Sequence, residues 1–128
     1  MSRSRAFTLV ELMIVIVIIG VLATLSIVQF SGPKEQALEK EAKANLKLIS
    51  AAEKIYRMEA GHYIDAPDEN AINQILRLML PANETTKNWD YSVTATGGGT
   101  GFSASATRTK GSNIRTYTID QEEEEPQP

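Results

Sequence analysis

The stretch that decides the fold reads Ala6-Phe7-Thr8-Leu9-Val10-Glu11-Leu12-Met13-Ile14-Val15-Ile16-Val17-Ile18-Ile19-Gly20-Val21-Leu22-Ala23-Thr24-Leu25-Ser26-Ile27-Val28. Residues 12–28 carry no charge and are almost all aliphatic. Just before them stand Arg3 and Arg5, in a short cationic segment. Positive charge ahead of an apolar run orients it with its amino terminus in the cytoplasm. A run of this length approaches the roughly 20 residues that cross a bilayer as a helix. A cleavable secretory signal is the competing interpretation, but Ala23, Thr24 and Ser26 make a poor cleavage site, and such a signal gains nothing from an acid at Glu11.

Glu11 is the informative residue. A carboxylate at the start of a membrane helix costs several kcal/mol, of order ~3, unless it is solvated or paired. One reading places it at the headgroup level in water. The other supplies a cation: a cut between Ala6 and Phe7 would create a new α-amine at Phe7. That amine could meet Glu11 one turn along the same helix, or in an assembly meet the Glu11 of a neighbouring chain. The second pairing would set axial register between otherwise featureless apolar helices.

Outside this segment the chain is ordinary. It has 128 residues, of which 42% are hydrophobic and 23% charged, and a formal net charge of −3. That length is a prior for one domain. The absence of cysteine excludes disulfide frameworks, thiolate metal sites and cysteine nucleophiles. His62 is the sole histidine, and the acidic balance gives no nucleic-acid footprint. No nucleophile, base or metal set converges in the sequence, so the expectation is a non-enzyme with no cofactor and no metal.

Residues 31–60 are rich in Ala, Lys, Glu and Leu, and Leu38, Ala42, Leu46, Ile49, Ala52 and Tyr56 form a narrow apolar stripe at helical spacing. Glu39 and Lys43 make an i,i+4 pair in the favourable order. Gly61 supplies a stop. If residues 7–60 formed one helix, it would be roughly 80 Å long. Gly20, Gly32 and Pro33 are its weak points. Gly32-Pro33 reads either as a plain boundary between two helices or as a place where the helix melts when subunits pack.

Asp68 is a candidate N-cap for a short helix over residues 69–80, with Ile72, Ile75, Leu76 and Met79 on its buried face. Trp89, Tyr91, Val93 and Ala95 alternate with polar residues, as do Phe102, Ala104 and Ala106. A third strand spans residues 114–119, giving a three-stranded antiparallel meander. Gly97-Gly98-Gly99-Thr100-Gly101 and Lys110-Gly111-Ser112-Asn113 are its turns. The glycine-rich turn joins two strands and has no Lys-Ser or Lys-Thr after it, which argues against a phosphate cradle. Asn83-Glu84-Thr85 fits a glycosylation acceptor pattern. Residues 121–128 read as a disordered, self-repelling acidic tail.

Ala6-Phe7-Thr8-Leu9-Val10-Glu11-Leu12 and the aliphatic run resemble the prepilin cleavage and methylation motif of type IV pilins and type II secretion pseudopilins. Gly61-His62-Tyr63 resembles the turn that ends the long helix in those proteins. The resemblance implies an α+β pilin-like fold. Its parts would be a cationic leader at 1–6, a transmembrane and assembly helix at 7–30, an amphipathic stalk at 31–60, a head at 61–120 and the tail at 121–128. It also implies cleavage after Ala6, N-methylation of Phe7, and a role for Glu11 in methylation and docking.

The implied partners are other copies of the chain, a prepilin peptidase and methylase, an inner-membrane assembly platform, minor pilins or pseudopilins, and the bilayer before assembly. The implied location is the bacterial inner membrane, then an extracellular or periplasmic filament. Three positions depart from the pattern: Ala6 stands where glycine is usual, Val28 where many pilins have proline, and Ile64 where proline is common. For the major pseudopilin the resemblance also suggests calcium near Asp65, Asp68 and Asp90, but the alternating ligand loop of a strong site is missing. The alternatives to a pilus subunit are a major pseudopilin of type II secretion and, in another class, a monomeric membrane-anchored binding protein.

Overall fold

A computed structural model describes residues 6–27, 31–108, 110–111 and 114–128. The leader arginines, the junction at 28–30 and part of the last turn lie outside the described residues. The elements in chain order are α1 (Leu9–Ile27), α2 (Ser31–Ala60), α3 (Glu69–Leu76), β1 (Asp90–Thr96), β2 (Gly101–Arg108) and β3 (Arg115–Asp120). The chain divides into two compact units, Met1–Ala37 and Leu38–Pro128.

In the first unit, α1 is apolar on every side. Leu9, Ile16 and Leu25 are 77%, 59% and 67% exposed, and their neighbours are similar. A helix apolar all round belongs in lipid or in a protein core. Among the described residues, however, no helix is long and apolar enough to cross a membrane. The uncharged part of α1, residues 12–27, is about 24 Å long against a hydrocarbon core of about 30 Å. Pro33 lies in the first turn of α2, where its missing N–H costs no helical bond, so it starts this helix rather than breaking one.

In the second unit, α2 buries the expected stripe: Leu38, Ala42, Leu46 and Ile49 join one core cluster, with Ala52 and Tyr56 partly buried against it. The sheet has the order β1-β2-β3 and is antiparallel throughout. Its inward residues form layers across the strands. Val93 faces Ala104, which faces Ile119; Tyr91 faces Ala106, which faces Tyr117. Two alanines in the middle strand leave volume for the α2 side chains of the same cluster. Asn45 donates to the Tyr91 hydroxyl at 2.9 Å, and the Lys43 ammonium sits 5.3 Å from the Tyr117 ring centre. The helix is thereby tied to both outer strands.

Both sheet edges are covered. Ala66 pairs with Val93 on β1, and Gln127 pairs with Thr118 on β3. The second pairing corrects the expectation of a disordered tail. Asp120 Oδ1 accepts the Glu122 and Glu123 N–H groups at 2.8 and 3.0 Å, Lys47 pairs with Glu125, and Pro126 is buried. The bridge at Gln127 and these side-chain contacts outweigh the repulsion of four consecutive acids, of which Glu122, Glu124 and Glu125 are exposed. Such coverage also blunts an edge that would otherwise template further pairing.

The short helix is corrected as well. Asp68 caps it as expected, accepting the Ala71 N–H at 2.8 Å, but it ends at Leu76 rather than 80. Arg77 is left-handed (φ 56°, ψ 40°). The Asn73 side chain then clamps Leu80, accepting its N–H at 2.7 Å and donating to its carbonyl at 2.9 Å. Beyond the break helical spacing no longer decides burial, so Met79 is 96% exposed while Leu80 is buried. Ile75 is not in the core either and stays 38% exposed.

Candidate assembly site at the amino terminus

The start of α1 is a capping box that the sequence reading overlooked, although Thr8-Leu9-Val10-Glu11 has its spacing. Thr8 Oγ1 accepts the Glu11 N–H at 3.2 Å. Glu11 Oε2 reaches back to the Thr8 N–H at 3.3 Å and lies 3.3 Å from the Thr8 hydroxyl. The carboxylate therefore turns toward the amino end of the helix, where the helix dipole favours negative charge. Glu11 remains exposed, as do Ala6 and Phe7. Phe7 directly precedes the capping threonine, so the backbone that would carry a new amine lies at the end to which Glu11 points.

The other expected residues are further along. Gly20 is inside α1 and Gly32 in the first turn of α2; among the described residues, nothing beyond the adjacent helix backbone and the chain neighbours lies within 4 Å of where a β-carbon would stand at either. Packing within the single chain therefore gives no reason for glycine at these positions. Among the described residues, no group of three or more acidic or histidine side chains is placed to hold a metal.

Two buried acids escaped the sequence reading. Glu69 accepts the Tyr91 N–H at 2.7 Å and the Lys87 ammonium at 3.3 Å. Lys87 is itself buried and also meets Glu84 at 2.6 Å and Asp90 at 2.7 Å. Asp90 and Glu84 first, then Glu69, hold its ammonium in the charged form against burial. This cluster pins the loop between α3 and β1. Glu53 is wholly buried in α2 and accepts the Ile64 N–H at 3.2 Å. The i+4 spacing from Ile49 places it on the core stripe, a signal available beforehand.

A second unpartnered apolar surface lies on the far face of α2. Leu48, Ile55 and Met58 are exposed, and the first two line a groove of about 380 Å³ with Tyr56, Ile75 and Leu78. Glu59 and Arg77 stand among its otherwise mainly apolar lining, and among the described residues no nucleophile joins them.

Comparison with known proteins matches residues 1–27 to the prokaryotic N-terminal methylation motif. The type IV major pilin protein PilA of Myxococcus xanthus is 36% identical over 96 residues, covering 75% of this chain and 40% of the relative. Type II secretion system core protein G of Escherichia coli is 41% identical over 62 residues, 48% of this chain and 43% of the relative. The same protein of Pseudomonas aeruginosa is 34% identical over 88 residues, 69% of this chain and 60% of the relative. The chain thus spans less than half the length of the first relatives it matches. No solved structure matches. The chain therefore carries the prokaryotic N-terminal methylation motif at the start of its capped, apolar α1 and is similar to a type IV major pilin and to type II secretion system core proteins G.

Proposed function

We propose that the protein is the structural subunit of a type IV pilus-like helical filament. The observation that carries this reading is α1, apolar on all sides and exposed over residues 9–25, opened by the motif segment. Before assembly the segment around α1 is anchored in the inner membrane as a single pass, with Phe7 to Val10 extending the apolar length. Cleavage between Ala6 and Phe7 removes Arg3 and Arg5 and takes the net charge from −3 to −5. Phe7 is then N-methylated. In the polymer, neighbouring α1 helices replace lipid, and Glu11 pairs with the amine of the adjacent subunit.

The capping box supports that last step, since it already aims the carboxylate at the amino end. The exchange is local: Glu11 gives up the backbone N–H and hydroxyl of Thr8 for a full positive charge, so both donor and acceptor are ionised. Flexibility at Gly20, Gly32 and Pro33 belongs to the same reading, because neither glycine is held by packing in the single chain. The partners are the chain itself, the prepilin peptidase, the assembly platform and minor subunits. No reaction is catalysed.

A second reading, a major pseudopilin of type II secretion, is supported by the relatives named core protein G. Intact mass and amino-terminal sequencing of protein from its native membrane test the processing. A chain that starts at N-methylated Phe7 is expected. Retention of residues 1–6 would replace the polymer with a monomeric anchored binding protein. Imaging separates a long surface fibre from a short secretion pseudopilus. Glu11→Ala should abolish polymer while Trp89 fluorescence reports a folded head; normal polymer yield would sink the pairing.

A further inference from the structure

Glu53 is a buried ionisable group for which the filament reading has no use. Its Oε2 accepts the Ile64 N–H at 3.2 Å, and its Oε1 is buried with no hydrogen-bond partner among the described residues. Ile64 belongs to a strap, residues 63–66, that closes the outer edge of β1. Tyr63 N–H donates to the Gly99 carbonyl at 3.0 Å, and Ala66 and Val93 exchange backbone bonds of 2.9 and 2.8 Å. Asp65 Oδ1 accepts the Ala95 N–H at 2.6 Å. Tyr63, Ile64 and Ala66 are buried beneath these contacts. A single carboxyl group of α2 therefore holds the strap by its backbone from the inner side.

We propose that Glu53 is a protonation latch for this strap: the neutral carboxyl keeps residues 63–66 closed on β1, and loss of the proton loosens them and uncovers the strand edge. A carboxylate in this place has one donor among the described residues and a second buried oxygen without one, so it is stabilised most by opening. Burial pushes the carboxyl up to about 7; the Ile64 bond opposes this, Asp65 adds to it and His62 opposes it. Asp65 on the strap and His62 on the preceding turn are the charged or titratable groups acting on it. Arg57, one turn further along α2, is engaged with Tyr63, 3.3 Å from its hydroxyl and 5.0 Å from its ring centre. An uncovered β1 edge would offer unpaired backbone groups to another strand.

Hydrogen exchange of the full chain in micelles from pH 4.5 to 8.5, corrected for intrinsic rates, tests the latch. The open strap has an ordinary carboxylate, so opening is coupled to proton loss between the ordinary value and about 7. Protection of the Ile64, Ala66 and Val93 amides should fall about tenfold per pH unit over that window and level off above it. The fall should be insensitive to mild urea, as local opening requires. Glu53→Gln should flatten it, and His62→Gln should leave it in place.

A flat wild-type profile would overturn the latch, as would a slope that persists in Glu53→Gln. So would strap amides that share the rate and urea dependence of the β2 amides, because exchange would then occur by global unfolding. Should Glu53→Gln fail to fold, the wild-type and His62→Gln series decide: a slope surviving in both supports the latch, and one lost with the histidine removes it.

Discussion

α1 and the core-facing half of α2 are both helices rich in aliphatic side chains, and they meet opposite fates. Leu46 and Ile49 are wholly buried within their own chain, while Ile14 and Ile18 in α1 remain 55% and 52% exposed. The difference lies in what surrounds the apolar residues. On the core-facing side of α2 they occupy one stripe, flanked by Glu39, Lys43 and Lys47, so a small sheet is enough to cover that stripe. On α1 every direction is apolar, and nothing short of lipid or several neighbouring helices can cover them all. Folding of the head is therefore an intramolecular matter, and the stability of α1 is left to whatever environment it enters.

The sharpest way to break this contrast is a matched pair of truncations. Phe102→Ala, in the head core with its ring tilted against Tyr63 at 4.8 Å between centres, should cost about 3–5 kcal/mol of head stability. Ile16→Ala should change head stability by less than about 0.5 kcal/mol. Urea unfolding followed by Trp89 fluorescence in micelles compares them, since Trp89 is the chain's only tryptophan and packs 5.7 Å from the Tyr117 ring. Equal effects would mean that the two units are not energetically separate.

A second probe asks whether the head's polar interior is as tightly specified as its apolar one. Lys87→Met removes the cation and leaves Glu69 buried beside the Tyr91 N–H. A loss of about 3 kcal/mol is expected from the uncompensated charge, and the same urea titration reads it. A loss below about 1 kcal/mol would show that water reaches the cluster.

Glu53 sharpens the comparison from the opposite side, because here the buried group opposes folding when charged. Its carboxyl is raised to about 7 in the folded chain, so its favourable contribution is complete below the ordinary carboxylate value. That contribution is lost as pH rises to about 7 and stays lost above it. Glu53→Gln should thus stabilise the head by about 2–3 kcal/mol at pH 8 relative to wild type, with little gain at pH 4.5. Thermal unfolding at the two pH values checks the sign. A variant less stable than wild type at pH 8 would refute it.

The smallest expected effect is in α1. Thr8→Ala removes half of the capping box and should weaken the first turn by about 1 kcal/mol. Faster exchange of the Glu11 and Leu12 amides would report it, with the head unchanged. The Thr8 hydroxyl contact to the Glu11 carboxylate is lost in the same variant, while the backbone N–H contact remains.

Periodicity revealed most of the fold. An uncharged aliphatic run, a 3.6-residue stripe and a period-two alternation around two glycine-bearing turns each have one efficient solution, and the structure adopts all three. The failures are equally physical. Leu76 to Leu80 has good helical spacing, yet the Asn73 clamp on Leu80 stops the helix, and that clamp exists only once the loop folds back. Residues 121–128 have the composition of a disordered segment, but an open β3 edge accepts Gln127. At the amino terminus, Glu11 stood out as costly without its local partner being seen, because attention to charge passed over the Thr8 hydroxyl three residues earlier.

By itself, then, the sequence determined the amino-terminal motif, the all-round apolar character of α1, the stripe of α2 and the meander. These follow from local spacing and side-chain chemistry, which need no knowledge of what lies opposite. Only the tertiary structure decided which acids are buried. Spacing puts Glu53 on the core stripe, but a stripe position alone does not say that a glutamate is buried, and Glu69 looks like any solvated glutamate on paper. They become buried because Ile64 and Tyr91 present backbone N–H groups that require acceptors inside the core, and a donor far away in sequence has no signature until the chain has brought it near.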